Sequence, residues 1–369
     1  MPATPRVTTA QAEEIARGCY GIGGSAERLA AEHDDAFRII TGDGSSRLLK
    51  ISVVSGSAER GPAPVSLQAA ILLHLASAAP RLPVQRVIPS LAGRHEVTWA
   101  EDGYRRIAAL TSWLDGDFLG ESAAAPGLRR EVGATLARLS RALRGFSHPG
   151  ARRTHRWDLQ NLGGLRPLLR DLPDSGLLPE VRAALGDGGP GIGQAPGDGL
   201  RAALDDFLDR FDTVLRPRLA GVPTQVIHTD FHGLNLLSGG GRITGILDFG
   251  DALAGPVAMD VGVAACYQLG SGADVLAPAL DVVAGYHAVD PLSPADVELA
   301  AEFIVARIVA RIVVSQWNAM REPANAGYLL RRTAQAVEHF AALRLLSPDE
   351  IAGRLWSACC SGPFRATMR

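Results

Sequence analysis

The sequence predicts an α+β protein with two lobes, a small N-terminal lobe built on an antiparallel β-sheet and a larger, mainly helical C-terminal lobe. Two observations carry this prediction. Around a hairpin turn at Asp43-Gly44, apolar and polar residues alternate with the period of β-strands. From Pro126 onward, apolar residues recur at the spacing of amphipathic helices. We assign 1–111 to the first lobe, 112–118 to a hinge and 119–369 to the second lobe.

The elements of the first lobe follow from capping residues, turn residues and periodicity. They are a helix over 8–18 that ends at Gly18, strands over 25–30, 37–41, 47–53, 84–88 and 104–110, and a helix over 64–79. Thr8 or Thr9 can cap the first helix, and Pro80 stops the second.

The second lobe reads as helices separated by irregular segments. They comprise 128–143, 165–172, 179–185, 200–215 and three or four helices between 260 and 355, with a loose tail from Ser357. A strand–turn–strand pattern interrupts them, because the glycines at 239–241 lie between two short apolar runs.

Composition limits the classes of function. The 369 residues are 47% hydrophobic and 21% charged, as in ordinary globular proteins, and the net charge of −2 argues against nucleic acid as a partner. The chain has no apolar run of transmembrane length, no signal-peptide core and no paired cysteine spacing. We expect a cytoplasmic monomer or homodimer without a membrane partner.

Two motifs on either side of the Gly-rich turn carry the chemistry. The first is His228-x-Asp230-x-x-x-x-Asn235, and the second is Asp248-Phe249-Gly250. They are the catalytic-loop and D-F-G signatures of the protein-kinase group, in the same order. In phosphoryl transfer an Asp accepts the proton of the attacking hydroxyl, while an Asn and a second Asp hold Mg²⁺ on the nucleotide phosphates. The alternative, a chance combination of turn-capping residues, would have to produce six fixed identities.

A single lysine stands out among the 37 basic residues, since all others are arginine. Lys50 lies in an alternating strand of the first lobe, where a kinase fold needs its phosphate-binding lysine. A lone Lys in such a background indicates a site that requires a compact ammonium, and the alternative is a surface position. The helix that usually supplies a Glu to this lysine offers Gln68, with Glu59 preceding it.

With these residues placed, the chain resembles the aminoglycoside phosphotransferase and choline kinase superfamily, which has a protein-kinase-like fold, over about 12–345. Members carry H-G-D-x-x-x-x-N, then I-D-F-G-D, then a G-x-x-x-x-D stretch. Here Thr229 replaces the usual Gly, and Gly255 with Asp260 completes the pattern. Short stretches at 20–22, 34–38, 82–94, 146–149, 157–159 and 325–329 are most similar to the hydroxylysine kinase branch. The resemblance implies phosphorylation of a hydroxyl on an amino-acid-like amine.

The resemblance also implies roles for individual residues on the nucleotide side. Asp230 is the expected base and His228 braces its loop, while Asn235 and Asp248 bind Mg²⁺ and Lys50 neutralises the phosphates of ATP or GTP. The segment 31–36, with Asp34 and Asp35, is expected over the nucleotide. The expected hinge contacts to the nucleobase are Ser112, Trp113 and Leu114.

On the acceptor side, Trp157 and Asp158 are candidates for an amine, although Trp157 packing a loop and Asp158 capping a helix is an equal alternative. His232 contacts either substrate or its own loop. Arg307 or Arg311, on one late helix, is a candidate ligand for a substrate carboxylate.

Three functions fit these residues: a metabolic kinase of a hydroxy-amino compound, an antibiotic-modifying phosphotransferase, and a nucleotide-binding protein without activity. The intact set of Lys50, Asp230, Asn235 and Asp248 argues against the third.

Overall fold

The computed structural model describes residues 6–30, 34–54, 64–101, 104–120, 125–185 and 199–361. The chain divides into two compact units. The first unit contains Met1–Phe118, Ala142–Arg152 and Asn235–Ala252, and the second contains Leu119–Arg141, Arg153–Leu234 and Leu253–Arg369. The first is built on antiparallel sheets and the second is mainly helical, which confirms the predicted α+β class. The lobe boundaries at 111 and 118 stay a prediction.

An antiparallel sheet forms the centre of the first unit. Its strands are β1 (Gly24–Leu29), β2 (Asp35–Thr41), β3 (Ser46–Val54), β4 (Val87–Ile88), β5 (Val97–Glu101) and β6 (Tyr104–Ser112). The hydrogen-bonded order is β1-β2-β3-β6-β4, and β5 pairs with the N-terminal part of β6, from Tyr104 to Ala108. The hairpin at Asp43-Gly44 is confirmed, because β2 and β3 pair with Ile40 opposite Ser46. β5 was not predicted; its Thr98 and Ala100 are exposed, so its apolar signal is short.

Two helices accompany this sheet, α1 (Thr9–Tyr20) and α2 (Pro64–Ala78). Thr8 caps α1 in a capping box with Gln11. The predicted end at Gly18 is wrong, because the helix continues to Tyr20 and ends at Gly21. Gly21 adopts the left-handed conformation (φ +70°) and donates its N–H to the carbonyl oxygens of Ala16 and Arg17, as glycine does at helix ends.

A second, small sheet in the first unit holds the Gly-rich turn. Its strands are β7 (Asp117–Phe118), β9 (Leu236–Gly239) and β10 (Arg242–Ile246), in the order β10-β9-β7. Leu236 lies opposite Ile246, and the Leu247 N–H donates to the Asn235 carbonyl oxygen at 2.8 Å. This register brings the residue before β9 and the residues after β10 to the same end of the hairpin.

The second unit combines a two-stranded ladder with helices. β8 (Gln225–Ile227) pairs with β11 (Leu253–Gly255) in antiparallel register. The helices are α3 (Pro126–Leu143, whose last two residues belong to the first unit), α4 (Arg166–Asp171), α5 (Pro179–Leu185), α6 (Leu200–Arg210), α7 (Arg216–Leu219), α8 (Val257–Cys266), α9 (Ala277–Val289), α10 (Pro294–Arg321), α11 (Ala326–Leu330), α12 (Thr333–Leu343) and α13 (Pro348–Cys360).

The helix predicted over 200–215 is present but irregular. Its α-helical part ends at Arg210, a π-helical turn follows over Phe211–Leu215, and α7 continues the helical backbone. Pro217 explains this irregular turn, because proline donates no N–H to the carbonyl four residues earlier and its ring displaces that carbonyl. The prediction of a loose tail from Ser357 is wrong over 357–360, since α13 continues to Cys360 with Leu355 fully buried.

The long helix α10 forms the core of the second unit. Ser293 caps it in a capping box with Asp296, and nearly all side chains from Val297 to Val314 are buried around its whole circumference. Such a helix is held by packing on every side rather than on one face. Over the described ranges, no helix combines the length and the apolar character needed to span a membrane.

Candidate active site

In the first unit, Lys50 on β3 is held between two carboxylates. Its Nζ lies 3.0 Å from Asp34 Oδ2 and 3.3 Å from Asp248 Oδ1. Burial lowers the pKa of this ammonium, but Asp248 and Asp34 raise it, and the net pKa is above the ordinary value for lysine. Lys50 is therefore a fixed positive charge at neutral pH.

The partner of Lys50 is thus an aspartate pair and not the helix residue considered from the sequence. Gln68 on α2 does lie nearby, because its Nε2 is 3.2 Å from the point that a Cβ on Gly250 would occupy. Glu59, the other candidate, lies outside the described residues.

Asn235 and Asp248 stand at the same end of the β9–β10 hairpin, which is the arrangement that a shared metal ion requires. Asp248 has a left-handed backbone (φ +53°), its Oδ1 accepts the Gly250 N–H at 3.0 Å, and its side chain is 49% exposed. Within the described ranges, no group of three His, Cys, Asp or Glu residues forms a metal site by itself. Carboxylate and amide oxygens are hard ligands that suit Mg²⁺, which takes its remaining ligands from phosphates and water. The donor set fits that ion.

The structure gives the two acidic residues of the predicted nucleotide loop different surroundings. Asp34 contacts Lys50, as described. Asp35 is buried at the start of β2, where it accepts the Val7 N–H at 2.9 Å and pairs with Arg28 at 2.7 Å. Arg106 approaches the same carboxylate at 4.0 Å. These partners occupy the Asp35 carboxylate inside the first unit, so its role in nucleotide binding stays a prediction.

Of the three predicted hinge residues, Ser112 is still part of β6. Its N–H donates to the Arg86 carbonyl oxygen at 2.8 Å, and its hydroxyl accepts the Arg86 N–H at 2.9 Å. Trp113 follows, with the Arg38 guanidinium 4.7 Å from its ring centroid, and Leu114 is partly buried. The backbone of Ser112 is already used by the sheet, so Trp113 and Leu114 carry the hinge prediction.

In the second unit, the catalytic-loop residues His228 and Thr229 are anchored by Asp260. The carboxylate of Asp260 accepts the N–H of His228 at 2.8 Å and that of Thr229 at 2.6 Å. The β8–β11 register explains the contact, because β11 leads directly into the first turn of α8, which carries Asp260. Burial raises the pKa of the Asp260 carboxyl, while His228 and the two N–H donors lower it. The sequence motif contained Asp260 without indicating this role.

Thr229 adopts a left-handed backbone (φ +67°), which is costly for a β-branched residue. The sequence comparison placed Gly here in related proteins, and this conformation is the reason that Gly suits the position. His228 supports the same turn, because its Nδ1 accepts the Asp230 N–H at 3.3 Å. The predicted bracing contact of His228 with backbone is thus present in the structure.

Arg307 and His232 both contact the side chain of Asp230. Arg307 Nη2 donates to its Oδ1 at 2.5 Å, and His232 Nε2 lies 3.1 Å from its Oδ2. Burial alone would raise the pKa of this carboxyl, but His232, Arg307 and His228 lower it well below the ordinary range for Asp. Asp230 is therefore ionised at neutral pH, and its side chain remains 22% exposed.

Arg307 reaches Asp230 from α10 and lies close to two aromatic rings. Its guanidinium lies 4.6 Å from the Trp157 ring centroid and 5.3 Å from that of Tyr267, and its Nη2 also donates to the Tyr267 hydroxyl at 2.9 Å. Gly262 permits this approach of α8 to α10, since a Cβ there would lie 2.8 Å from the Ala300 carbonyl oxygen. Tyr267 was missed from the sequence, where an isolated Tyr after a helix gives no signal.

Of the predicted amine ligands, Trp157 holds the Arg307 cation on its ring. Asp158 caps the 3₁₀ turn Leu159–Leu165 and accepts the Gln160 N–H at 3.0 Å. Burial raises the pKa of the Asp158 carboxyl, although bonds from Gln160 lower it. The capping alternative therefore describes Asp158, and its role toward a substrate amine stays a prediction.

The chain is similar in sequence to a known family of enzymes over most of its length. A sequence model described as the phosphotransferase enzyme family matches residues 25–297. Hydroxylysine kinase of Danio rerio is 22% identical over 364 residues, covering 95% of this chain and 95% of that protein.

Two solved structures share the fold at low identity. An amicoumacin kinase in complex with AMP-PNP and Ca²⁺ has a TM-score of 0.64 at 15% identity, covering 92% of this chain and 98% of its own. A microcompartment-associated aminopropanol kinase has a TM-score of 0.64 at 18% identity, covering 95% and 98%. With the family match spanning most of its length, this chain belongs to the phosphotransferase enzyme family and is a phosphotransferase that acts on small molecules.

Proposed function

We propose that this protein transfers the γ-phosphate of ATP or GTP to a hydroxyl group of an amino-acid-like or amino-alcohol substrate. The observation that carries the proposal is the Asp230 carboxylate, which is kept ionised by His232 and Arg307 and remains partly exposed. A base of this kind accepts the proton of the attacking hydroxyl and aims its oxygen at the phosphorus. The full-length similarity to hydroxylysine kinase supports the choice of acceptor class.

The other residues supply position and charge. Asn235 and Asp248 would hold Mg²⁺, which neutralises charge on the β- and γ-phosphates when bound. Lys50, released from Asp34, binds the α- and β-phosphates. Asp260 and His228 hold the backbone that presents Asp230, so the base needs no rearrangement to meet the acceptor. Most of the acceleration in phosphoryl transfer comes from such positioning and charge neutralisation.

The remaining predicted contacts belong to the same proposal. Trp113 and Leu114 receive the nucleobase, and His232, which lies against Asp230 and 4.6 Å from the Tyr267 ring, lines the acceptor site. Trp157, whose ring lies against the Arg307 guanidinium, lines that site as well. A cytoplasmic location and a monomeric or homodimeric state complete the proposal.

The test is Mg²⁺-dependent nucleotide turnover with a panel of hydroxy-amino acids, amino alcohols and aminoglycosides. We expect phosphorylation of an amino-acid-like or amino-alcohol hydroxyl, with a loss of about 10²–10⁴-fold in Asp230→Asn. Asp174→Asn, an exposed carboxylate of the second unit, is the matched control and retains full activity. Transfer only to aminoglycosides would replace the proposal with an antibiotic phosphotransferase. Nucleotide binding without any transfer would refute it.

A further inference from the structure

Arg311 is a buried cation that forms no ion pair with any described residue of the second unit. It lies one turn after Arg307 on α10 and is only 8% exposed. Its described contacts are the Tyr267 ring, whose centroid lies 4.8 Å from the guanidinium, and the Cys266 thiol. Among the residues that the structure describes, no carboxylate pairs with it, and Glu302 on the same helix pairs with Arg210. A charge removed from water without a partner destabilises a fold by several kcal/mol.

The groups around Arg311 do not compensate for its charge. Burial raises the pKa of the Cys266 thiol, and it also raises the pKa of the Tyr267 hydroxyl, so both are protonated and neutral. Burial and the charge of Arg311 lower the pKa of His339 to about 4, so this ring is neutral as well. Its Nδ1 is buried and has no hydrogen-bond partner.

The neighbouring Arg307 is only partly satisfied. Its Nη2 donates to Asp230 and Tyr267, but its buried Nε and Nη1 find no hydrogen-bond partner in the part of the chain that the structure describes. Asp230 therefore neutralises one of the two arginines, and the cluster of Asp230, Tyr267, Arg307 and Arg311 keeps one excess positive charge. Guanidinium groups bind carboxylates with two parallel hydrogen bonds, which makes a carboxylate the anion best suited to this position.

We propose that Arg311, assisted by Nε and Nη1 of Arg307, binds the carboxylate of the acceptor and restricts this enzyme to hydroxy acids. The proposal rests on the proposed function and sharpens it, since it separates amino-acid acceptors from amino alcohols that share the hydroxyl and the amine. Side chains four residues apart on a helix are neighbours, with Cβ atoms about 5–6 Å apart. Arg307 in turn contacts Asp230. One small acceptor molecule can therefore place its carboxylate on Arg311 and its hydroxyl at Asp230, with a few carbon atoms between the two groups.

Matched acceptor pairs test the proposal directly. We would measure kcat and KM for hydroxylysine against the diamino alcohol left by removal of its carboxyl group, and for threonine against 1-amino-2-propanol. In whichever pair the enzyme phosphorylates, we expect kcat/KM to be about 10- to 100-fold higher for the member with the carboxylate than for the amino alcohol. This is the effect of one hydrogen bond to a charged group. In Arg311→Gln this preference disappears, mainly through KM, and the amino alcohol is turned over as before. Arg311→Lys restores part of the preference.

Arg321→Gln is the matched control, because Arg321 also lies on α10 and rests on an aromatic ring, Trp317, but is exposed. We expect Arg321→Gln to leave the preference for the carboxylate-bearing acceptor unchanged.

The thermal midpoint without substrate separates an effect on binding from an effect on folding. We expect Arg311→Gln to be as stable as the original chain, because the variant removes an uncompensated charge. Its stabilisation by the carboxylate-bearing acceptor is lost.

Two results would overturn the proposal. One is equal kcat/KM for both members of every pair in the original enzyme, and the other is an equal loss for both members in Arg311→Gln. In each case hydroxyl phosphorylation continues and the proposed function stands. Absence of any hydroxyl phosphorylation, by contrast, refutes the proposed function itself, and then binding of hydroxylysine by calorimetry decides whether Arg311 still holds a carboxylate.

Discussion

Replacing Arg307 with Met removes a guanidinium that, after His232, lowers the pKa of the Asp230 carboxyl. The two charges meet through a 2.5 Å contact in a buried cluster, so their centres are about 4 Å apart, which is worth about 4 kcal/mol at an effective dielectric constant of 20. The partial exposure of Asp230 weakens this interaction, and without it we expect the pKa of the carboxyl to rise toward the ordinary value for Asp. His232 remains as a partner and limits the rise.

The sign of the stability effect follows from the lowered pKa of Asp230. In the original chain its contribution to the free energy of unfolding is present above the unfolded carboxyl pKa, about 3.9, and is lost as pH falls through the lower folded value. Without Arg307 the folded pKa rises, although His232 and His228 still lower it. The contribution at pH 7 therefore shrinks, and we expect a loss of about 3–5 kcal/mol for breaking a buried pair, less the relief of two unpartnered nitrogen atoms.

The assay is the pH dependence of kcat/KM at saturating Mg²⁺-nucleotide, together with the thermal midpoint. We expect no Asp230-dependent acid limb above about pH 4 in the original enzyme, because its carboxyl stays ionised there. In Arg307→Met the limb moves toward higher pH, while Arg321→Met, on the same helix, leaves it in place. An unchanged acid limb with undiminished kcat would refute the electrostatic role of Arg307.

Two further predictions concern residues that prepare the site. Asp260→Asn presents an N–H₂ group to one of two backbone N–H donors, so we expect a loss of about 1.5–3 kcal/mol in unfolding free energy and a lower kcat. Urea denaturation and steady-state kinetics measure these two quantities. An unchanged kcat would show that the left-handed turn at Thr229 does not depend on the Asp260 carboxylate. Asp34→Asn frees Lys50 from one of its two carboxylates, and we expect tighter binding of ADP by calorimetry, whereas weaker binding would mean that Asp34 itself receives the nucleotide.

Local features of the chain were predictable from short stretches of sequence. The β2–β3 hairpin, α2 and the β9–β10 hairpin follow from turn residues and periodicity within a few positions, because backbone preferences act locally. The errors also have local causes that compete with each other. Gly18 is a residue type that often ends helices, but Gly21 provides the left-handed cap, and Pro217 makes one turn of a continuing helix π-helical.

The partners of the motif residues came only from the tertiary structure. Lys50 and Asp248 are 198 positions apart, and Arg307 and Asp230 are 77 apart, so no spacing rule relates them. In the sequence, Arg307 and Arg311 are two among many arginines and are equal candidates for a substrate carboxylate. Their surroundings distinguish them, because among the described residues Arg307 pairs with Asp230 and Arg311 pairs with no carboxylate.

The sequence by itself determined the family and the reactive groups, since His228, Asp230, Asn235 and Asp248 lie within 21 consecutive positions whose identities the chemistry of phosphoryl transfer restricts. Only the tertiary structure decided the charge state of Asp230, the strained backbone beside it and the uncompensated cation on α10. The physical reason is that pKa values and desolvation depend on burial and on groups brought together from distant parts of the chain, which folding alone arranges.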